Sequence, residues 1–229
     1  MKIISYLVDL FYPKLCLSCG RKLLETERVI CTHCKVDLPR TNFHLKKDNP
    51  VEILFWGRCN VYSAAAYYRY LKGGNVQQLI HNFKYKGFQE IGVYIGEQYG
   101  RQLMESEYFK TVDYLIPVPL HPKKKLKRGF NQSEVFGKGL EKSMAAKLDT
   151  DNLHRLIHTS SQTKKSRWER YKNVSDIFGI HDAEKLRGKH VLIIDDVITT
   201  GSTIEACVQK LNEIEGIKIS VAAMATAAH

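Results

Sequence analysis

Nowhere does the chain run apolar for the roughly 18–20 residues that a bilayer-spanning helix needs, so no such span is expected. There is no Gly/Ser-rich or Pro-rich linker, no internal repeat and no low-complexity tract, which leaves a solenoid or a string of tethered modules without support. A Gly-x-x-x-x-Gly-Lys-Ser/Thr loop is missing, so a P-loop ATPase is not indicated. No secretory signal is expected either. Met1 to Phe11 is mostly apolar, but Lys2 is a thin basic region and Asp9 interrupts the run. Pro13 and Cys16 then stand where a small-residue cleavage site would be needed. Ile3, Ile4, Leu7, Val8 and Phe11 instead fit one face of a short helix packed on the body. A soluble, cytoplasmic protein is expected. Acidic residues are in short supply: 24 Asp and Glu face 35 Lys and Arg, for a net charge of +11. That excess favours anionic partners such as phosphates, nucleic acid or a membrane surface, and it is also what plain solvated lysines would give.

What is present suffices for a core. With 229 residues and a hydrophobic fraction of 44%, the chain can build one α/β domain and a small appendage. Four of the six cysteines form two pairs, Cys16-Leu17-Ser18-Cys19 and Cys31-Thr32-His33-Cys34. Paired Cys-x-x-Cys units suit tetrahedral zinc, and Gly20 permits the tight turn of a knuckle. Four thiolates close the shell, so such a site is structural. Disulfides are disfavoured without a secretory signal, and a redox dithiol needs only one pair. His33 could replace a ligand but sits between two better ones. Cys59 and Cys207 read as small core residues.

Further along, Val61 to Tyr68 reads as a strand, and Lys72-Gly73-Gly74-Asn75 as a turn. A helix from Asn75 carries Val76, Leu79, Ile80 and Phe83 on one face and ends at Gly87. A second covers Ile91 to Met104. Val112 to Ile116 reads as a buried strand closed by Pro117 and Pro119, and Ser133 to Leu148 as a helix. Val191-Leu192-Ile193-Ile194 is the clearest strand, followed by a helix over Thr203–Leu211 and a strand over Ile217–Met224. The alternation predicts an α/β fold with an open, mostly parallel sheet flanked by helices. Residues 1–45 are expected to form the helix and cysteine module, and 46–229 the α/β domain.

The segment with the most chemistry is Asp195-Asp196-Val197-Ile198-Thr199-Thr200-Gly201-Ser202-Thr203. A buried strand delivers two carboxylates to its C-terminal end, where open α/β sheets bind ligands. A hydroxyl- and glycine-rich turn then opens a helix, whose free N–H groups and positive dipole end suit a phosphate. Acceptors for hydroxyls beside donors for phosphate suit a sugar phosphate. The alternative, a capped helix with no ligand, leaves the like charges of Asp195 and Asp196 without a purpose.

This segment resembles the type I phosphoribosyltransferases. The resemblance implies that Asp195 and Asp196 hold ribose hydroxyls and that Thr199, Thr200, Gly201, Ser202 and Thr203 hold the 5-phosphate of phosphoribosyl pyrophosphate, with magnesium. Nearly the whole chain is similar to the ComF, or competence protein F, branch of that superfamily. The features shared are the Cys-x-x-Cys pairs, Lys84-Tyr85, Pro117-Val118-Pro119-Leu120, Arg128-Gly129-Phe130-Asn131-Gln132, and Gln162-Thr163 with Arg167, Arg170 and Asn173. The C-terminal Ala225 to His229 departs from it, lacking a basic residue. The resemblance implies a link to DNA uptake in natural competence. It implies a phosphoribosyltransferase of unknown acceptor or, alternatively, a non-catalytic single-stranded DNA adaptor working with an uptake helicase.

Two basic segments remain. Lys123, Lys124, Lys125, Lys127 and Arg128 either contact pyrophosphate or nucleic acid backbone, or form a solvated loop. Arg128 is the best candidate for neutralising pyrophosphate, with Lys84 beside it, because a guanidinium grips phosphate through two parallel donors. In the type I phosphoribosyltransferases a loop covers the reaction centre, and the resemblance implies by position that Ser160 to Lys172 is that hood. Its Trp168 and Tyr171 would either stack bases or dock the segment on the core.

Overall fold

The computed structural model describes residues 13–156 and 177–228. The expected helix over Met1–Phe11 and the hood over Ser160–Lys172 lie outside them. Among the described residues no helix is long and apolar enough to cross a membrane.

Among the described residues, seven strands form two sheets: β1 (Ser63–Arg69), β2 (Tyr114–Pro117), β3 (Lys147–Leu148), β4 (Leu153–Arg155), β5 (Phe178–Ile180), β6 (His190–Ile198) and β7 (Lys218–Thr226). The main sheet is parallel throughout, in the order β1-β7-β6-β2-β3. The expected α/β fold with an open parallel sheet is therefore the observed one. β6 sits in the middle, and Val191 to Ile194 are fully buried, as a strand covered on both faces should be.

The helices are α1 (Thr32–Asp37), α2 (Pro50–Ile53), α3 (Asn75–Tyr85), α4 (Glu90–Met104), α5 (Pro122–Arg128), α6 (Gln132–Glu141) and α7 (Ser202–Leu211). Val76, Leu79, Ile80 and Phe83 form the buried face of α3, as their spacing predicts. Helices α4 and α6 meet through glycines. A Cβ on Gly96 would stand 2.4 Å from the Phe136 carbonyl oxygen and 2.8 Å from the Gly139 Cα. Close helix approach at this point leaves no room for a side chain.

Two expectations need correction, and one strand pair was not anticipated. The helix over Ser133–Leu148 stops at Glu141, because Glu141 turns back to accept the Leu148 N–H at 2.9 Å and Lys147–Leu148 pairs with Tyr114–Leu115 as an edge strand. The basic run His121–Arg128 is a helix, not a loop. Pro122 opens it, His121 Nδ1 accepts the Lys123 N–H at 3.2 Å, and Gly129 closes it at φ 80°. Lysines are good helix formers and favour a helix C-terminus, so charge did not prevent order here. The antiparallel pair of β4 and β5 has too few residues for a readable alternation.

Gly96→Ala should lower stability by about 1–3 kcal/mol through overpacking, although Gly to Ala inside a free helix stabilises. Urea unfolding with an unchanged or higher midpoint would refute the close crossing.

Candidate functional site at the carboxyl edge of the sheet

Asp195 and Asp196 stand in the C-terminal half of the strand β6, and alternation sends them to opposite faces. Asp195 Oδ1 accepts from Ser133 Oγ at 3.0 Å and from the Asp196 N–H at 2.8 Å. Burial, then the negative charge of Asp196, pushes its carboxyl up to about 7. Asp196 is 8% exposed and faces two cations. Lys84 Nζ lies 2.8 Å from Oδ1, and an Arg128 guanidinium nitrogen 3.9 Å from Oδ2.

Each cation is placed by its own element. Lys84 ends α3, whose position is fixed from the cysteine module: Asn82 donates to the Leu17 carbonyl at 2.8 Å and Ser18 to the Asn75 carbonyl at 3.3 Å. Arg128 ends α5, donates to Gln132 Oε1 at 2.8 Å and lies 5.6 Å from the Tyr85 ring centre. The run Arg128-Gly129-Phe130-Asn131-Gln132 now has a physical reading. Gly129 supplies the left-handed turn, and Phe130 packs on Phe83 at 5.6 Å. Asn131 caps α6 through the Ser133 N–H at 3.1 Å and donates to the Val118 carbonyl at 3.1 Å.

The turn after β6 is open. Thr199, Thr200, Ser202 and Thr203 are exposed, while Gly201 is buried at φ 75° as the cap of α7. The first N–H groups of α7 have no partner within the helix. Thr200 Oγ1 and Ser202 Oγ are 3.0 Å apart. The structure thus brings Lys84, Arg128, Asp195 and Asp196 together beside this turn. Sequence reasoning missed Ser133 and Gln132 as partners; both follow the Asn131 cap, a helix-start signal that could have flagged them.

The second cluster is Cys16, Cys19, Cys31 and Cys34, whose sulfurs all lie within 4.8 Å of one another. Cys16 and Cys34 are 3.8 Å apart, and Cys19 and Cys31 3.7 Å. Sulfurs in a tetrahedral zinc site stand about 3.8 Å apart, given a Zn–S length of about 2.3 Å. The same pairs are far too long for disulfides at about 2.05 Å. The donor set and spacing fit one tetrahedral metal ion. His33 is not part of the set; it pairs with Asp37 at 2.7 Å.

A carboxyl raised in the folded state favours folding when protonated and loses that contribution as pH rises from its ordinary value, near 3.8, through about 7. Asp195→Asn should therefore raise Tm at pH 8, with the gain shrinking toward pH 4. A gain independent of pH would contradict the buried, raised carboxyl.

Comparison with known proteins bears on this edge directly. Residues 134–229, which include β6, the turn and α7, match the phosphoribosyl transferase domain family. DNA utilization protein YhgH of Escherichia coli O6:H1 is 26% identical over 204 residues, spanning 86% of this chain and 83% of that protein. Competence protein F of Haemophilus influenzae is 29% identical over 132 residues, 56% of each chain. Competence protein ComFC of Bacillus subtilis is 25% identical, spanning 87% of this chain and 78% of that one. Among solved structures, adenine phosphoribosyltransferase from Saccharomyces cerevisiae is 14% identical at a TM-score of 0.37, covering 63% of this chain and 71% of its own. That likeness is distant and decides nothing about chemistry. By its sequence matches, the chain is similar to the ComF and YhgH proteins and carries a phosphoribosyl transferase domain over residues 134–229.

Proposed function

We propose that the chain binds phosphoribosyl pyrophosphate, or a closely related sugar phosphate, at the carboxyl edge of its sheet. One observation carries this reading: the Asp195–Asp196 pair, with two cations gathered on Asp196, lies beside an exposed, hydroxyl-rich helix start. In this reading Asp195 and Asp196 accept hydrogen bonds from ribose hydroxyls. Thr199, Thr200, Gly201, Ser202 and Thr203 receive the 5-phosphate through hydroxyls and free N–H groups. Lys84 and Arg128 exchange Asp196 for pyrophosphate oxygens and neutralise their charge.

Such a site supports phosphoribosyl transfer. The bond from ribose C1 to pyrophosphate breaks, its electron pair leaves with pyrophosphate, and a nucleophile of the acceptor bonds to C1. The hard carboxylate oxygens fit magnesium held jointly with the ligand, and that ion when bound would offset pyrophosphate charge. Cys16, Cys19, Cys31 and Cys34 are assigned to a structural zinc, with residues 1–45 as its module and 46–229 as the transferase-like domain. The role assigned is a cytoplasmic one in DNA uptake, and the names of the relatives, which concern competence and DNA utilization, support its link to DNA.

A second reading, a non-catalytic adaptor for single-stranded DNA, draws on α5. Lys123, Lys124, Lys125 and Lys127 are all exposed there, at the margin of the same site. Its signature is steep salt dependence.

Calorimetric titration with phosphoribosyl pyrophosphate and magnesium, then with single-stranded DNA, separates the two. Saturable sugar-phosphate binding is expected. Kd should rise at least about a hundredfold in the Asp195→Asn/Asp196→Asn double variant, since each charge-assisted hydrogen bond is worth about 1.5–3 kcal/mol. No sugar-phosphate binding, with DNA still bound, would leave the adaptor reading. Metal analysis should find one zinc per chain, and stripping it should lower Tm by several degrees; an unchanged Tm would contradict a structural ion.

A further inference from the structure

The turn after β6 is held by a residue from a distant part of the chain. Arg58 lies 142 residues before Thr200, in the turn that follows α2. One of its terminal nitrogens donates to the Leu54 carbonyl at 2.8 Å and to the Thr200 carbonyl at 2.8 Å. The other pairs with the carboxylate of Glu205, in the first turn of α7. Phe55, three residues earlier, is buried against Gly201, where an added Cβ would stand 2.9 Å from the ring.

We infer that Arg58 is a positioning residue for the Thr199–Thr203 turn, fixing its backbone donors and neutralising the acid beside them; this rests on the sugar-phosphate reading above. The Thr200 carbonyl and the Gly201 N–H belong to one rigid trans peptide plane and point in opposite directions. A guanidinium that pins the carbonyl therefore aims the N–H to the other side. Phe55 keeps the same peptide from rotating by filling the space at Gly201. Glu205 adds the electrostatic part. A carboxylate in the first turn of a helix competes with a bound phosphate for the positive end of the dipole. Paired with Arg58, it no longer presents a net charge there. Without Arg58, the turn would lose its anchor and the phosphate would meet a free carboxylate.

The test uses ribose 5-phosphate and pyrophosphate as separate probes on the full-length, metal-loaded chain, with hydrogen exchange of the Gly201–Ile204 amides measured without ligand. Arg58→Ala should weaken ribose 5-phosphate about tenfold or more and leave pyrophosphate within about twofold. Its turn amides should exchange faster at unchanged Tm. Arg58→Lys keeps the charge but not the forked donors, so it should fall between Arg58→Ala and wild type. Adding Glu205→Gln to Arg58→Ala should recover part of the lost affinity. Unchanged exchange overturns the inference, and so does equal weakening of both probes with a lowered Tm. If the wild type binds neither probe, the sugar-phosphate reading fails by itself. The exchange rates then decide for Arg58 alone, faster exchange supporting the anchor and unchanged exchange overturning it.

Discussion

One carboxylate, that of Asp196, organises the carboxyl edge of the sheet. It is almost buried and carries Lys84 on one oxygen and Arg128 near the other. Charges in such a place are tolerated only when paired, and removing one partner strands the rest. The three residues come from β6, α3 and α5, so this single contact ties together segments that are distant in sequence. It also makes the site self-neutralising. Its cations are already gathered where an anionic ligand would need them, held by a group that can hand them over. Asp195 on the opposite face has no cation within ion-pair distance among the described residues, and burial, then the charge of Asp196, raises its carboxyl.

The supports of this contact reach outward by short steps. The cysteine module bonds α3 near both ends, through Ser18 to Asn75 and Leu17 to Asn82. A metal in that module would thus steady the helix that carries Lys84, although the cysteines themselves stand apart from the acidic pair. On the other side, Gly129 and Asn131 set the angle between α5 and α6 and so place Arg128. Ahead of β1, the turn with Phe55 and Arg58 closes on Gly201 and Thr200. Four different local rules converge on one edge: metal spacing, a glycine stop, an asparagine cap and a carbonyl clamp.

How far this was legible depended on the kind of signal. The strand Val191–Ile194 and the face of α3 could be read because burial imposes a run or a period. The cysteine pairs could be read because ligand spacing is local. The helix α5 was hidden behind its charge, though Pro122 and Gly129 marked its ends in the way helix boundaries commonly are marked. The edge strand Lys147–Leu148 was absorbed into a helix because two residues carry no period. Ser133 on Asp195 and Arg58 on Thr200 are contacts across 62 and 142 residues. Nothing in a single sequence pairs such positions; only the fold brings them together.

The most direct test of the account is a crystal structure of the chain with phosphoribosyl pyrophosphate and magnesium. The account predicts the 5-phosphate on the Thr199–Thr203 turn, the ribose hydroxyls on Asp195 and Asp196, and Lys84 and Arg128 moved from Asp196 to pyrophosphate. A ligand bound elsewhere, with the Lys84–Asp196 pair intact, would contradict it.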